Sequence, residues 1–226
     1  MVLRITVTLG PNQLIHRCNL NDSDDVKKRC SRCKYIRSNS NRCKLRSCYD
    51  KNYCWIHLQK KYKVKIAQSR VRINGHSIGL GLFAKTNKQL PANILSKIRM
   101  NRMSKDEKKR YLIFKTGDII GKYEGEHMTR EQLNNRYDTK NDIIEPYVVE
   151  VKKDYYIDSL CLRNHTSYAN DARNTTFKNN AKLTSKLYLK ATKNIWCGQE
   201  IFWNYGASYF KGEHLNIKVN KNRQRN

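Results

Sequence analysis

Long apolar runs are missing from this chain of 226 residues. No stretch approaches the roughly 20 consecutive apolar residues that a membrane-spanning helix needs, and the opening MVLRITVTLG has neither the long apolar core nor the small-residue cleavage site of a signal peptide. The expectation is a soluble chain that is not secreted. Acidic residues are scarce, with Asp+Glu 19 against Lys+Arg 46 and a formal net charge of +27. The excess is spread along the chain and ends in the basic tail KVNKNRQRN. Charge of this size predicts attraction to nucleic acid or another polyanion. The alternative is solubility combined with the codon bias of an AT-rich genome, which the abundance of Lys, Asn, Ile and Tyr also fits. Cysteine is nearly absent beyond residue 60, where only Cys161 and Cys197 occur. A hydrophobic content of 38% supports one medium core and a small appendage, two units at most.

The other six cysteines, Cys18, Cys30, Cys33, Cys43, Cys48 and Cys54, all precede residue 60, and that asymmetry marks a boundary. In an unsecreted chain clustered cysteines indicate metal more often than disulfides. The run RCSRCKYIRSNSNRCKLRSCYDKNYCWIH holds Cys30-x2-Cys33 at one end and Cys54-x2-His57 at the other, and paired ligands two residues apart can share one tetrahedral zinc. The stretch resembles short Cys/His knuckles of large DNA viruses, and that resemblance selects Cys33, Cys43, Cys54 and His57, with Cys30 and Cys48 as spare or swapped ligands. The competing reading is free thiols in a disordered basic arm. With so few large apolar residues, residues 30–57 could not fold on burial alone, so metal would supply much of their stability.

The remainder reads as strands and turns. In KATKNIWCGQEIFWNYGASYF, the alternation of Leu187, Leu189 and Ala191, the Cys197-Gly198-Gln199 turn and the apolar run Ile201-Phe202-Trp203 predict a strand, a Gly turn and a second strand before a Tyr205-Gly206 break. A tyrosine placed there is by itself an ordinary packed aromatic. Upstream, a strand from Val71 leads into Gly79-Leu80-Gly81, whose glycines permit close approach of a ligand to the main chain or simply a tight hairpin. Ser104 with Glu107, and Thr129 with Gln132, are possible capping boxes for two short helices.

Four segments in order resemble SET-domain protein lysine methyltransferases: SIGLGLFAK, GDIIGKYEGEHMT, YYIDSLCLRNHTSYANDARN and ATKNIWCGQEIFWNY. The resemblance spans about residues 70–210, with an insertion at about 86–112. It implies a mainly β fold, small sheets around a knot-like C-terminus, preceded by the zinc knuckle at 30–57 and a segment 1–29, and followed by a basic tail at 211–226. The implied function is S-adenosylmethionine-dependent protein-lysine N-methyl transfer, acting on a histone tail or histone-like protein. Tyr205 is the implied catalytic residue. Gly79, Leu80, Gly81, Asn170, Asp171, Tyr209 and Phe210 are the implied cofactor residues, and Tyr123 and Trp203 line the implied substrate channel.

The chain departs from the family pattern in several places. Asp171 stands where His is usual, Thr175-Thr176 replace a Pro-Asn, and the Cys-rich C-terminal segment that many members use to close the site is missing. Tyr209 and Phe210 are then the aromatic candidates to cover the adenine, with a core role for one of them as the alternative. Trp203 replaces the usual Phe or Tyr. Pointing away from the channel it would leave room for more than one methyl, the expectation adopted here, whereas pointing in it would crowd a dimethylated amine. The alternative function is a catalytically inactive SET scaffold that binds DNA or chromatin through its basic surface, a reading that Asp171 favours. A methyltransferase acting on a non-histone protein is a third reading. The expected partners are a lysine-containing protein substrate and a weak, non-specific DNA or nucleosome contact, with no membrane. The expected location is intracellular: a host nucleus, viral factory or virion if the protein is viral.

Overall fold

The computed structural model describes residues 31–47, 50, 52–73, 76–85, 94–99, 101–137, 147–173 and 175–206. Of the candidate site residues, Tyr209 and Phe210 lie outside the described residues, as do Cys30 and Cys48, the segment 1–29 and the tail 211–226. Fifteen short strands and four short α-helices are found among the described residues, so the fold is mainly β, as the sequence predicts. No helix among them is long and apolar enough to cross a membrane.

The Cys/His region opens with the two-residue strands β1 (Ser31–Arg32) and β2 (Arg46–Ser47), paired antiparallel. It closes on α1 (Trp55–Tyr62), which Lys63 ends in a left-handed conformation. β3 (Val64–Gln68) follows directly and is the edge of a three-stranded antiparallel sheet. A small hairpin, β4 (Arg72–Ile73) and β5 (His76–Ser77), leads to the central strand of that sheet, β6 (Leu80–Ala84). The region inserted relative to the family pattern contains α2 (Ile94–Arg99) and α3 (Lys105–Tyr111). The Ser104–Glu107 capping box is formed in both directions at the start of α3.

β7 (Leu112–Phe114), β8 (Ile119–Lys122) and β9 (Glu126–Thr129) each enter a different small sheet. Thr129 and Gln132 make the second capping box, opening α4 (Arg130–Arg136). β10 (Val148–Lys152) and β11 (Tyr155–Asp158) pair with β9 in the order β10-β11-β9. A single 3-10 turn, His165–Tyr168, is capped by Asn164, whose Oδ1 accepts from Thr166 N–H. β12 (Ala181–Leu183) and β13 (Tyr188–Ala191) then form a sheet with β8.

The expected strand at 187–191 is β13, and the Gly turn and the second strand follow after one further short strand. β14 (Ile195–Trp196) joins β7, Gly198 turns with φ 84°, and β15 (Glu200–Ile201) joins β6. The Gly198 turn docks on β6 through its N–H to the Ala84 carbonyl at 2.7 Å. One core unites these sheets around Val64, Leu82, Phe114, Ile120, Leu189, Ile195 and Ile201. A second cluster, with Leu133, Tyr137, Tyr147 and Tyr156, packs α4 against the β9–β11 sheet. It is pinned by the fully buried Asp158, which accepts from Arg136 Nη1 at 2.7 Å and from the Tyr137 hydroxyl at 2.9 Å.

Past β15 the chain threads between two loops. Phe202 bridges Asn170 in parallel, and Trp203 bridges Ala181 in parallel. The buried Asn180 side chain fixes this passage by acting as a piece of backbone. Its Nδ2 donates to the Glu200 carbonyl and its Oδ1 accepts from Phe202 N–H, both at 2.9 Å.

Candidate active site and metal cluster

Threading brings Tyr205 against the segment 169–171. Its hydroxyl donates to the Ala169 carbonyl at 3.0 Å, and its backbone N–H donates to Asp171 Oδ2 at 3.0 Å. Trp203 Nε1 donates to the same Ala169 carbonyl at 2.9 Å. The Trp203 ring lies between Tyr205, with centroids 5.0 Å apart, and Tyr123, at 6.5 Å. These three rings line a cavity of about 490 Å³, which Val148–Val151 of β10, Ser167 and Leu187 also line. The Tyr123 hydroxyl donates to the Tyr147 carbonyl at 2.6 Å. Tyr123, Trp203 and Tyr205, expected as two channel residues and one catalytic residue, are therefore together in one place.

A hydroxyl has one proton to give. Tyr123 and Tyr205 each give theirs to a main-chain carbonyl, so toward any other group each acts as an acceptor. The indole N–H of Trp203 is spent in the same way, which leaves the faces of the ring. The aromatic part of the cavity wall thus combines π faces with hydroxyl acceptors. Such a wall suits an alkylamine and does not suit an anion.

Gly79, Leu80 and Gly81 are not among the residues lining this cavity. Gly79 has φ 97°, a conformation that a side chain would strain. A Cβ at Gly81 would collide with the carboxylate of Glu200, so this glycine makes room for protein. Glu200 is 2% exposed, and it accepts from Ser69 Oγ at 2.7 Å and from Arg70 N–H at 2.8 Å. Asn170 Nδ2 donates to the Leu80 carbonyl at 3.0 Å and reaches Glu200 Oε1 at 3.4 Å. Asn170, which the resemblance implied as a cofactor residue, ties the glycine loop to the threaded strand. Asp171 is a tie as well. Besides Tyr205 N–H it accepts from Arg173 N–H at 2.8 Å and Asn179 Nδ2 at 3.1 Å. Nothing in the sequence singled out the Ala169 carbonyl or Glu200, because neither carries chemistry until the chain is threaded.

In the N-terminal region, Cys33, Cys43, Cys54 and His57 are all buried, and their ligand atoms lie within 4.8 Å of one another. His57 Nδ1 is 3.4 Å from Cys33 Sγ and 3.2 Å from Cys54 Sγ. Its ring stacks on Tyr35, with centroids 3.8 Å apart. A Cys3His set at this spacing fits a tetrahedral zinc with bonds of about 2.0–2.3 Å. These are the four residues that the knuckle resemblance selected.

A contact that sequence reasoning missed joins this cluster to the rest. Asp50, 3% exposed, uses Oδ1 to accept from Asn52 and Tyr53 N–H at 2.8 and 2.9 Å. Its Oδ2 lies 3.1 Å from both the backbone N and the Nδ1 of His165, in the turn just ahead of Ala169. Tyr62 of α1 stacks on the His165 ring at 4.2 Å. Gly121 is small because a Cβ there would collide with His165 Nε2. The available signal was one acid among the bases of the Cys-rich stretch.

A family profile described as SET domain matches residues 113–206, and with the fold it defines that segment as a SET domain. The match covers less than half of the chain and leaves the glycine loop at 79–81 outside. No curated protein matches. Among solved structures, a chain of "Crystal structure of the Chaetomium Thermophilum polycomb repressive complex 2 (PRC2)" is 18% identical at a TM-score of 0.43, over 74% of this chain and 17% of that one.

Two outcomes are expected here. Purified protein should carry one zinc per chain by metal analysis, and Cys54→Ser should lose it, since three ligands hold zinc far less well than four. Full zinc retention in that variant would exclude Cys54 as a ligand. Asp50→Asn, which replaces an accepting oxygen with a donor, should lower stability by about 1–3 kcal/mol at neutral pH. Burial alone would raise the Asp50 pKa, but the hydrogen bond and charge of His165 and the N–H groups of Asn52 and Tyr53 outweigh it and hold it below the usual range. A depressed folded pKa contributes stability above the unfolded value and loses it as pH falls through the folded one. Thermal melts should therefore show the wild-type advantage shrinking as the medium is acidified.

Proposed function

We propose that the protein is an S-adenosylmethionine-dependent protein-lysine N-methyltransferase acting on a histone tail or histone-like protein. The observation that carries this reading is the aromatic cavity wall, in which Tyr123 and Tyr205 are both held as acceptors by donating to the Tyr147 and Ala169 carbonyls. The SET domain supports membership of the lysine methyltransferase superfamily.

A lysine amine must be neutral to act as a nucleophile, and with an ordinary pKa of about 10.4 this costs roughly 4.6 kcal/mol at neutral pH. Rings packed around the cavity exclude water from the alkyl chain, which lowers that pKa by desolvation, and solvent takes the proton. Tyr205 is anchored at both its hydroxyl and its backbone N–H, so its oxygen is preorganised to accept weak bonds from polarised methyl hydrogens. The residues that would hold S-adenosylmethionine are the backbone of 79–81 and the segment 169–171, which Asn170 ties together. When bound there, the cofactor supplies a methyl group on a sulfonium. Asp171 has a task in this arrangement, holding the backbone of Tyr205.

Tyr205→Phe should abolish methyl transfer while leaving cofactor binding nearly intact, because the hydroxyl acts mainly at the transition state. Radiolabel transfer to core histones together with calorimetric titration of the cofactor tests both halves. Absence of incorporation by the wild type into any histone or lysate protein would overturn the reading. Trp203 bears on product. Trp203 lines the cavity, and we propose that it crowds a dimethylated amine so that the product stops at one methyl, where the sequence alone led to the expectation of more than one. Trp203→Phe should raise the number, as read by mass spectrometry of a substrate peptide after exhaustive reaction.

A further inference from the structure

A second concavity, of about 620 Å³, shares no lining residue with the aromatic cavity. Arg70, Lys178 and Lys193 line it, together with Thr176, Thr192 and Asn194. Its one carboxylate, Glu200, is buried and already accepts from Ser69 Oγ and Arg70 N–H. Among the described residues Lys178 and Lys193 form no ion pair, so the rim carries uncompensated positive charge. Asn194 turns its Oδ1 to the Thr116 N–H, which leaves its NH2 group to donate elsewhere. Half-buried Trp196 and Phe177 add flat apolar surface between these donors.

An independent feature extends the same rim. Lys182 and Lys190 are directly opposite one another in the β12–β13 pair. Their neighbours Ala181, Leu189 and Ala191 are buried, so the pleat places both lysines on the face away from the core. Thr192, which is exposed and lines the concavity, is two residues along from Lys190 and so continues that same face. Like charges directly opposite are destabilising, and among the described residues neither lysine forms an ion pair. The sheet thus tolerates a repulsion that a bound polyanion would relieve.

We propose that this concavity and the adjoining lysine pair are a docking site for the phosphodiester backbone of nucleic acid, separate from the cavity that takes the lysine. A phosphate backbone presents negative charges at a regular spacing of a few ångströms, matching a row of cations, and its oxygens accept from the threonine hydroxyls and the Asn194 amide. Trp196 and Phe177 offer flat contact to sugar or base. The net charge of +27 steers such a ligand to the surface, and the rim fixes where it stays.

The test is fluorescence anisotropy of a labelled random-sequence duplex with the full chain at low and moderate salt, without cofactor, so that its outcome is independent of methyl transfer. Lys178→Gln with Lys193→Gln should weaken binding by about tenfold at low salt and flatten the log–log salt dependence by about 2, the share of two phosphate contacts. A control pair in α3, Lys105→Gln with Lys109→Gln, should change affinity less than about twofold. Equal losses in the two double variants would mean that the charge acts without a site, and would overturn the proposal. So would an absence of duplex binding by the wild type, or tighter binding of polyglutamate than of the duplex, which would assign the rim to an acidic protein.

Discussion

The passage of residues 202–205 between the loops at 169–171 and 180–181 is the constraint on which the rest of the structure depends. Without it Tyr205, Asp171 and the glycine loop are unconnected pieces of chain. The passage is made with few regular hydrogen-bonded ladders, because the strands on either side are only two to four residues long. Side chains that imitate backbone supply the rest. Asn180 replaces a stretch of strand, Asp171 receives the Tyr205 N–H, and Asn170 accepts Trp203 N–H at its carbonyl and holds the Leu80 carbonyl with its amide. Each is buried, so each must find its partners or cost more than it contributes. The requirement makes the threading specific to one register.

The same economy explains Glu200. Burial pushes its pKa up, against Ser69, Arg70 N–H and Asn170, which pull it down. A carboxylate in that position is costly, yet it gathers the start of the glycine hairpin, Asn170 and the threaded strand at one point. Gly81 is the steric consequence, since the space a side chain would need is already filled by that carboxylate. The glycine loop is therefore shaped first by protein packing.

The β character, the two capping boxes, the four metal-cluster residues and the aromatic trio were legible in the sequence, since each leaves a local pattern or a family motif. Ser104 and Thr129 announce helix starts because their partners are three residues away. What was not legible depends on sequence separation. The Asp50–His165 contact spans 115 positions, and Ser69 meets Glu200 across 131. No periodicity connects such pairs. The partners of β14 and β15, which are β7 and β6, were not legible for the same reason: the short turn at Gly198 does not dictate which strands its two sides join. Asp171 stands where the family has histidine, and its two carboxylate oxygens accept from Tyr205 N–H, Arg173 N–H and Asn179 Nδ2, a set that an imidazole with one acceptor could not receive.

The Asp50 contact also changes what the Cys/His cluster is for. A cluster with three buried cysteines and little apolar surface has almost no core of its own. Its one carboxylate is directed into the turn His165–Tyr168, and the next residue along, Ala169, offers the carbonyl that receives both Tyr205 and Trp203. The Cys/His cluster at one end and the orientation of the aromatic cavity at the other are then separated by a single buried carboxylate and a four-residue turn. Strain or loosening in the cluster has a short path to the cavity wall, through hydrogen bonds that burial makes expensive to break. The cluster is thus part of the support of the site, in the same sense as Asn180 and Glu200, although it lies more than a hundred residues earlier in the chain.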